Sequence, residues 1–152
     1  MGHEGLATFR MPTPTEIKKA LISAGFELYR TRGEVVHIAD RVRENLLMDS
    51  GIFVHAGRAT VGFVVRAQHT DFPNETEEQL FVRARSLAER ALARGYREVE
   101  STSRPIYDPG DGERKLDTWC EVQFERDAPA IEDALEEVRF ALGFPKSAGS
   151  HE

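Results

Sequence analysis

The chain has 152 residues, of which 40% are hydrophobic and 30% charged, and its formal net charge at pH 7 is −6. A chain of this length forms a hydrophobic core without help from disulfides or metals, and its single cysteine excludes an internal disulfide. The acidic balance argues against nucleic-acid binding, which needs concentrated positive charge, and no apolar run is long enough to span a bilayer.

These features predict a soluble cytoplasmic protein with no nucleic-acid or membrane partner. The N-terminus lacks the basic segment, apolar core and cleavage site of a secretory signal. We predict a flexible lead over residues 1–12, a single domain over 13–145 and a flexible tail over 146–152, because both ends are polar and without periodicity.

The first predicted element is a helix in "TPTEIKKALISAGF", residues 13–26. Thr13 and Glu16 form a capping box, Pro14 suits the first helical position, and Gly25 ends the helix. Strands follow in "FELYRT" and "EVVHIA", and then in "IFVHA" and "TVGFVVRAQH", each pair forming a hairpin. Between these hairpins, "DRVRENLLM" at residues 40–48 fits either a helix or a strand, and we expect a helical turn.

The second half of the chain predicts two more helices around a third hairpin. The helices are "NETEEQLFVRARSLAERALARGY", which opens at Asn74, and "DAPAIEDALEEVRFALGFP", capped by Asp127. The hairpin joins "REVESTSRPIY" to "KLDTWCEVQF". Runs of strands separated by few helices predict an α+β fold: a single domain with a mostly antiparallel sheet covered on one face by about three helices.

The acidic loop at residues 108–117 is the first candidate for chemistry. Its acids do not have the spacing of a calcium loop, whereas Pro109-Gly110 and Asp111-Gly112 are turn dipeptides between two predicted strands. We therefore predict a hairpin turn, with weak divalent-ion binding as the alternative. The sequence contains no complete metal, cofactor or catalytic signature, so none is assigned. A rival interpretation is a small hydrolase or ligand-binding enzyme whose site is assembled from His69, Asp71 and this loop.

Trp119 is the most informative residue for function. Cys120 alternates with apolar residues on one strand face, so Trp119 falls on the opposite face among charged neighbours. A tryptophan there either packs beneath a loop or terminus or anchors a partner. Phe53 and Arg66 also fall on outward faces of their strands. Together these three residues predict a binding site for a partner protein, or for a second copy of the chain, on an open sheet face.

The order of elements resembles the type III secretion chaperone-like fold. The stretches that carry this resemblance are "TEIKKALISAGF", "EVVHIA", "GFVVRA", "EEQLFVRARSLAERALARGY", "DTWCEVQF" and "IEDALEEVRFALGF", which span roughly residues 13–144. The resemblance implies a one-sided sandwich of helices and a sheet, in a small acidic and often dimeric protein that binds another protein without catalysis. Our leading hypothesis from the sequence is accordingly a non-enzymatic chaperone-like or adaptor module.

Overall fold

A computed structural model describes residues 12–149 of the chain. The predicted flexible lead over 1–12 thus lies almost wholly outside the described residues, as do 150–152. In chain order the elements are α1 (Pro14–Ser23), β1 (Leu28–Arg32), β2 (Val35–Arg43), β3 (Leu46–His55), β4 (Thr60–Gln68), a 3-10 turn (His69–Asp71), α2 (Glu77–Leu87), α3 (Glu89–Ala93), β5 (Arg97–Asp108), β6 (Asp111–Asp127) and α4 (Ile131–Ala141).

The six strands form one antiparallel sheet in the order β1-β2-β3-β4-β6-β5. Each of the three predicted hairpins is present, and β6 inserts next to β4, which leaves β1 and β5 as the edges. The helices pack on one face of this sheet, and the predicted α+β fold is confirmed. Among residues 12–149, no helix has the length and apolar content needed to cross a bilayer.

The core lies between the helices and the central strands. Alternate residues of β4 and β6 point inward, and they meet apolar residues of α1, α2 and α4. The largest fully buried side chains of this core are Phe63, Phe124, Leu21, Ile38, Ile52, Leu80, Val36, Val61, Val65, Val122, Val138 and Cys120. Cys120 is therefore a core residue, as its alternation with apolar neighbours predicted.

The helix starts follow side-chain capping. Thr13 and Glu16 form the predicted capping box, and Thr76 forms a second box with Gln79 rather than Asn74 opening the helix. The predicted cap at Asp127 is wrong: β6 continues to Asp127, and α4 begins after Ala130, whose backbone N–H donates to Asp133. Strand pairing of Asp127 with Thr60 holds that residue in the ladder and out of the helix.

Residues 40–43 and 46–48 are strand on either side of a two-residue turn, Glu44-Asn45, so the predicted helical turn is wrong. β2 and β3 extend beyond the sheet as a two-stranded ribbon, with Asp40 opposite Met48 and Arg41 opposite Leu47. Pairing across a tight turn satisfies the backbone hydrogen bonds of both arms, whereas an isolated helical turn would leave most of them unsatisfied. The apolar side chains of this ribbon, Val42, Leu46, Leu47 and Met48, remain exposed.

The ribbon separates from β4 at Gly51. The β3–β4 pairing runs only from His55↔Thr60 to Ile52↔Phe63, and Gly51 has a left-handed φ of 85°. The vacated edge of β4 is used by residues 146–148, where Arg66 N–H donates to Lys146 O and Ala148 N–H donates to Arg66 O, both at 2.8 Å. Residues 146–148, the start of the predicted tail, thus form backbone hydrogen bonds that the sequence pattern does not reveal.

Candidate functional site

The sheet face opposite the helices carries the side chains that the sequence singled out. On β6, Trp119 and Glu121 alternate with the buried Thr118, Cys120 and Val122 and so point away from the helices. Register brings neighbours to them: Arg66 of β4 lies opposite Glu121, and Arg104 of β5 lies opposite Trp119. Three strands thus each contribute to one small area of the open face.

Trp119 is half-buried and its indole ring is contacted by two arginines. The guanidinium carbon of Arg66 lies 3.9 Å from the ring centroid, and that of Arg104 lies 5.3 Å from it. Both distances are within the range of cation–π attraction, which is strongest for tryptophan. The indole N–H donates to Asp117 Oδ2 at 3.0 Å, which fixes the plane of the ring.

Glu121 connects the two arginines. Its carboxylate accepts from Arg66 Nε at 3.2 Å and from Arg104 Nη2 at 3.1 and 3.0 Å. The Glu121 side chain is only 15% exposed, whereas that of Arg104 is 52% exposed. We call Arg66, Arg104, Trp119 and Glu121 the Trp119 cluster. Mutual pairing fixes the orientation of these side chains before anything binds to them.

Phe53 does not join this cluster. It points to the open face, as its strand position predicted, but it is only 7% exposed. Its ring lies over Gly62, where an added Cβ would come within 2.4 Å of Phe53 Cζ. Trp119 lies opposite Gln68 of β4, six residues beyond Gly62. The distance along the strand from Gly62 to the position of Trp119 is therefore roughly 20 Å. Phe53 therefore fills a space above Gly62 and presents little surface to a partner.

A cleft of about 760 Å³ lies beside the cluster, where the ribbon leaves the sheet. Arg66, Arg104 and Glu121 contribute to its lining, as do Asp40 of the ribbon and Lys146. Its volume is within the range of small-ligand and peptide-side-chain pockets. The Trp119 cluster thus borders a concave surface instead of a flat one.

Lys146 holds the C-terminal wall of the cleft. Its ammonium group donates to the backbone carbonyls of Ala141 and Phe144 and lies 4.0 Å from the Phe144 ring centroid. A cation at this position satisfies carbonyl groups left free at the end of α4. Burial lowers the pKa of Lys146 from its usual 10.5 to about 8, against the opposing charge of Asp40.

This pKa leads to a prediction about stability at alkaline pH. Between about pH 8 and 10 the unfolded chain keeps the Lys146 proton that the folded chain has released, so the free energy of unfolding contributed by Lys146 rises with pH. Urea unfolding at pH 7, 8, 9 and 10 measures this. In Lys146→Met, which keeps the aliphatic stem but does not titrate, this rise is expected to be absent.

The wild type has to be compared with Lys146→Met because other groups also make stability depend on pH in this range. Burial raises the pKa of Tyr96 and of Cys120. Both groups ionise more readily in the unfolded chain, so each lowers stability at high pH, but they do so equally in wild type and variant. A difference in stability that stays constant from pH 7 to 10 would show that Lys146 is not buried as described.

The residues of the rival enzymatic interpretation are only partly brought together. Thr70, between His69 and Asp71, donates its backbone N–H and hydroxyl to Asp117 at 3.0 and 3.1 Å. Asp117 thereby ties the 3-10 turn to β6. The tip of the predicted acidic loop is a hairpin turn, with Asp108 accepting from Gly110 N–H and Asp111 from Glu113 N–H. Residues 12–149 contain no group of three or more His, Cys, Asp or Glu side chains able to hold a metal ion.

Sequence reasoning missed Arg104, Glu121 and Lys146. Arg104 and Glu121 are charged residues on strands, and only the register of β5, β6 and β4 shows that they meet. Asp108 pairs with Asp111, so an unbroken hairpin register would place Arg104 opposite Lys115, but the two register shifts between Ile106 and Asp108 place it opposite Trp119. Those shifts have no signature in the sequence.

The chain was also compared with known proteins. No protein-family model, no curated protein and no solved structure matches it.

Proposed function

We propose that this protein is a non-enzymatic protein-binding module of the cytoplasm, chaperone-like or adaptor-like, which holds a segment of a partner protein against its open sheet face. The observation that supports this most directly is the Trp119 cluster: a tryptophan contacted by two arginines on a sheet face that none of the helices within residues 12–149 covers. Tryptophan and arginine are the residues most often responsible for binding energy at protein interfaces.

The organisation of the cluster supports the same proposal. Binding usually costs free energy because flexible side chains become ordered at the interface. Here Glu121 already orders Arg66 and Arg104, and Asp117 already orders the indole. A partner therefore meets a nearly rigid surface, and the adjacent cleft gives room for a side chain of that partner.

The ionisable groups of the cluster also favour binding over catalysis. Arg66, Arg104 and Glu121 are bound to one another, so none is held ready to accept or donate a proton to a substrate.

Trp119→Ala is expected to abolish partner binding while lowering the free energy of unfolding by about 1–2 kcal/mol, through loss of the arginine contacts and of the hydrogen bond to Asp117, since the ring packs on the surface and not in the core. The measurement is affinity capture from the lysate of the native organism, with urea unfolding in parallel. Val82→Ala is the matched control, because Val82 is exposed on α2 in the helical layer. Proteins retained by wild type and Val82→Ala but lost by Trp119→Ala are the expected result.

Two outcomes would contradict the proposal. Capture of the same proteins by Trp119→Ala would show that binding takes place elsewhere. A loss of several kcal/mol of stability in Trp119→Ala would show that the ring is a packing residue, since losses of that size accompany truncation of core side chains.

A further inference from the structure

The two edges of the sheet differ greatly. β1 is five residues long and carries Arg30 and Arg32, whereas β5 is 12 residues long and almost all of its residues are exposed. Natural proteins usually protect long edge strands, because their unpaired N–H and C=O groups recruit other strands. β1 is protected by its shortness and its charges. β5 carries charges, Pro105 and register shifts near its ends, but its regular middle is long, and among residues 12–149 no other strand pairs with its outer edge.

The regular part of β5 runs from Glu100 to Ile106. Over these residues β5 pairs with β6 without a register shift, from Glu100↔Gln123 to Ile106↔Asp117. Pro105 has no N–H to give, so its nitrogen faces away from β6, as proline requires in a strand. The direction of the backbone groups alternates along a strand, so Ser101 and Ser103, which lie four and two residues before Pro105, direct their N–H and C=O groups away from β6 as well. The outer edge of β5 thus offers the N–H and C=O groups of Ser101 and Ser103, and the C=O group of Pro105.

We propose that β5 pairs antiparallel with β5 of a second copy of the chain, about a two-fold axis that passes through Thr102. In this register Ser101 of one copy lies opposite Ser103 of the other, and each pair exchanges two backbone hydrogen bonds. The two Thr102 side chains meet at the axis as a cross-strand threonine pair, which is a favourable combination.

Charge selects this register. With the axis at Thr102, Glu100 of each copy lies opposite Arg104 of the other, which gives two pairs of opposite charge. An axis at Ser103 would place Glu100 opposite Ile106, and an axis at Arg104 would place the two arginines opposite each other. Glu100 accepts a hydrogen bond from Thr102 in its own strand at 3.4 Å and forms no salt bridge among the described residues. Arg104 is exposed enough to contact a second carboxylate.

A two-fold axis at Ser101 gives one further register in which the outward N–H groups of β5 form hydrogen bonds with the second copy. It would pair Arg104 with Glu98, but Glu98 adjoins the register shift at the start of β5 and already accepts from Arg85 Nε and Nη2 at 2.9 and 3.0 Å. The axis at Thr102 uses only residues of the regular stretch, and its acids are free of other cations.

The proposed dimer has one continuous twelve-stranded sheet. Glu100, Thr102 and Arg104 are on the open face, because they lie opposite Gln123, Glu121 and Trp119. A two-fold axis at Thr102 perpendicular to the sheet keeps the open faces of both copies on the same side. The dimer proposal does not rest on the proposed partner binding, although Arg104 also belongs to the Trp119 cluster and the dimer would bring two of these clusters to one surface.

The first test reverses charge and measures mass by sedimentation. The wild type is expected to sediment as two chains of 17.1 kDa each at high micromolar concentration and to dissociate on dilution. Glu100→Arg is expected to raise the dimer dissociation constant about tenfold or more, because the dimer would then contain two pairs of facing arginines, one at each Arg104. Glu100→Arg combined with Arg104→Glu is expected to restore the dimer, and Glu113→Arg, the same change at the hairpin tip, to leave it unaltered. A monomeric wild type, or a double variant no better than Glu100→Arg, would overturn the proposal.

The second test checks the axis directly and does not depend on affinity. Thr102→Cys places two thiols at a non-hydrogen-bonded pair, with Cα atoms about 4.5 Å apart, within the range that a disulfide spans. Mild oxidation is expected to convert Thr102→Cys to a covalent dimer. Glu100→Cys is the control, because its two copies lie roughly 13 Å apart along the strands. Equal crosslinking of the two variants, or none in Thr102→Cys, would rule out this register.

Discussion

Glu137→Ala is expected to lower the free energy of unfolding by about 3–5 kcal/mol, the usual cost of removing one partner from a buried charged network. Glu137 lies on α4 and is only 4% exposed. Its carboxylate accepts from Arg94 Nε at 2.9 and 3.2 Å, from Tyr96 Oη at 2.9 Å and from Arg126 Nη1 at 3.2 Å. Alanine would remove the acceptor that all three donors share: the buried Tyr96 hydroxyl would lose its partner, and Arg94 and Arg126, each about one-third exposed, would lose their closest carboxylate. Because alanine favours helix, the loss would not come from α4 itself.

Glu136→Ala is the matched control for this prediction. Glu136 precedes Glu137 on the same helix and lies 3.5 Å from Arg94 Nη2, but its side chain is 67% exposed. Exposed ion pairs contribute about 1 kcal/mol or less, so the free energy of unfolding is expected to change little. Urea unfolding of the three proteins at pH 7 measures both values. Equal losses in the two variants would show that burial of Glu137 does not determine its contribution.

Gly62→Ala is expected to destabilise the protein by about 3 kcal/mol, at the upper end for an added methyl group in a packed interior. The new Cβ would lie 2.4 Å from Phe53 Cζ and 2.8 Å from the backbone oxygen of Phe124. The second contact involves backbone of the paired strand β6, so a side-chain rotation cannot relieve it. Thermal and urea unfolding are the measurements.

Two further variants separate the causes of this loss. Gly112→Ala adds the same methyl group where no atom lies within 4 Å, and it is expected to be within about 0.5 kcal/mol of wild type. Phe53→Leu in the Gly62→Ala background removes the contact with the ring but not the one with Phe124, so it should recover only part of the stability. Full recovery would mean that the strand backbone is not crowded at this position.

The sequence predicts the fold well where local physics determines structure. The capping box of Thr13, the glycine at position 25 and the alternation along β4 each act within a few residues, and the predicted elements follow from them. The α+β class follows in turn from the order of these elements. Two of the wrong local predictions, the helical turn at 40–48 and the cap at Asp127, occur where strand pairing extends beyond the apolar pattern.

The candidate site could be predicted only in part, because its geometry depends on strand register. Alternation alone places Trp119 and Arg66 on the open face, and the structure finds them in contact. Arg104 and Glu121 join them through the register shifts of β5, and Lys146 through backbone hydrogen bonds to β4. Phe53 has the correct face, but its burial depends on the absence of a side chain at Gly62.

The separation of β3 from β4 at Gly51 gives the sheet two mechanically different halves. The central strands are bonded on both sides, whereas the ribbon of β2 and β3 beyond Gly51 has no ladder to β4 and is held through β2, where Ala39 N–H donates to Glu27 O and Arg41 pairs with the Glu27 carboxylate. Asp40, Asp49 and Ser50 of this ribbon line the cleft beside the Trp119 cluster. That part of the cleft wall therefore belongs to a strand pair that β4 does not hold, whereas Lys146, also in the lining, is joined to β4 by a backbone hydrogen bond.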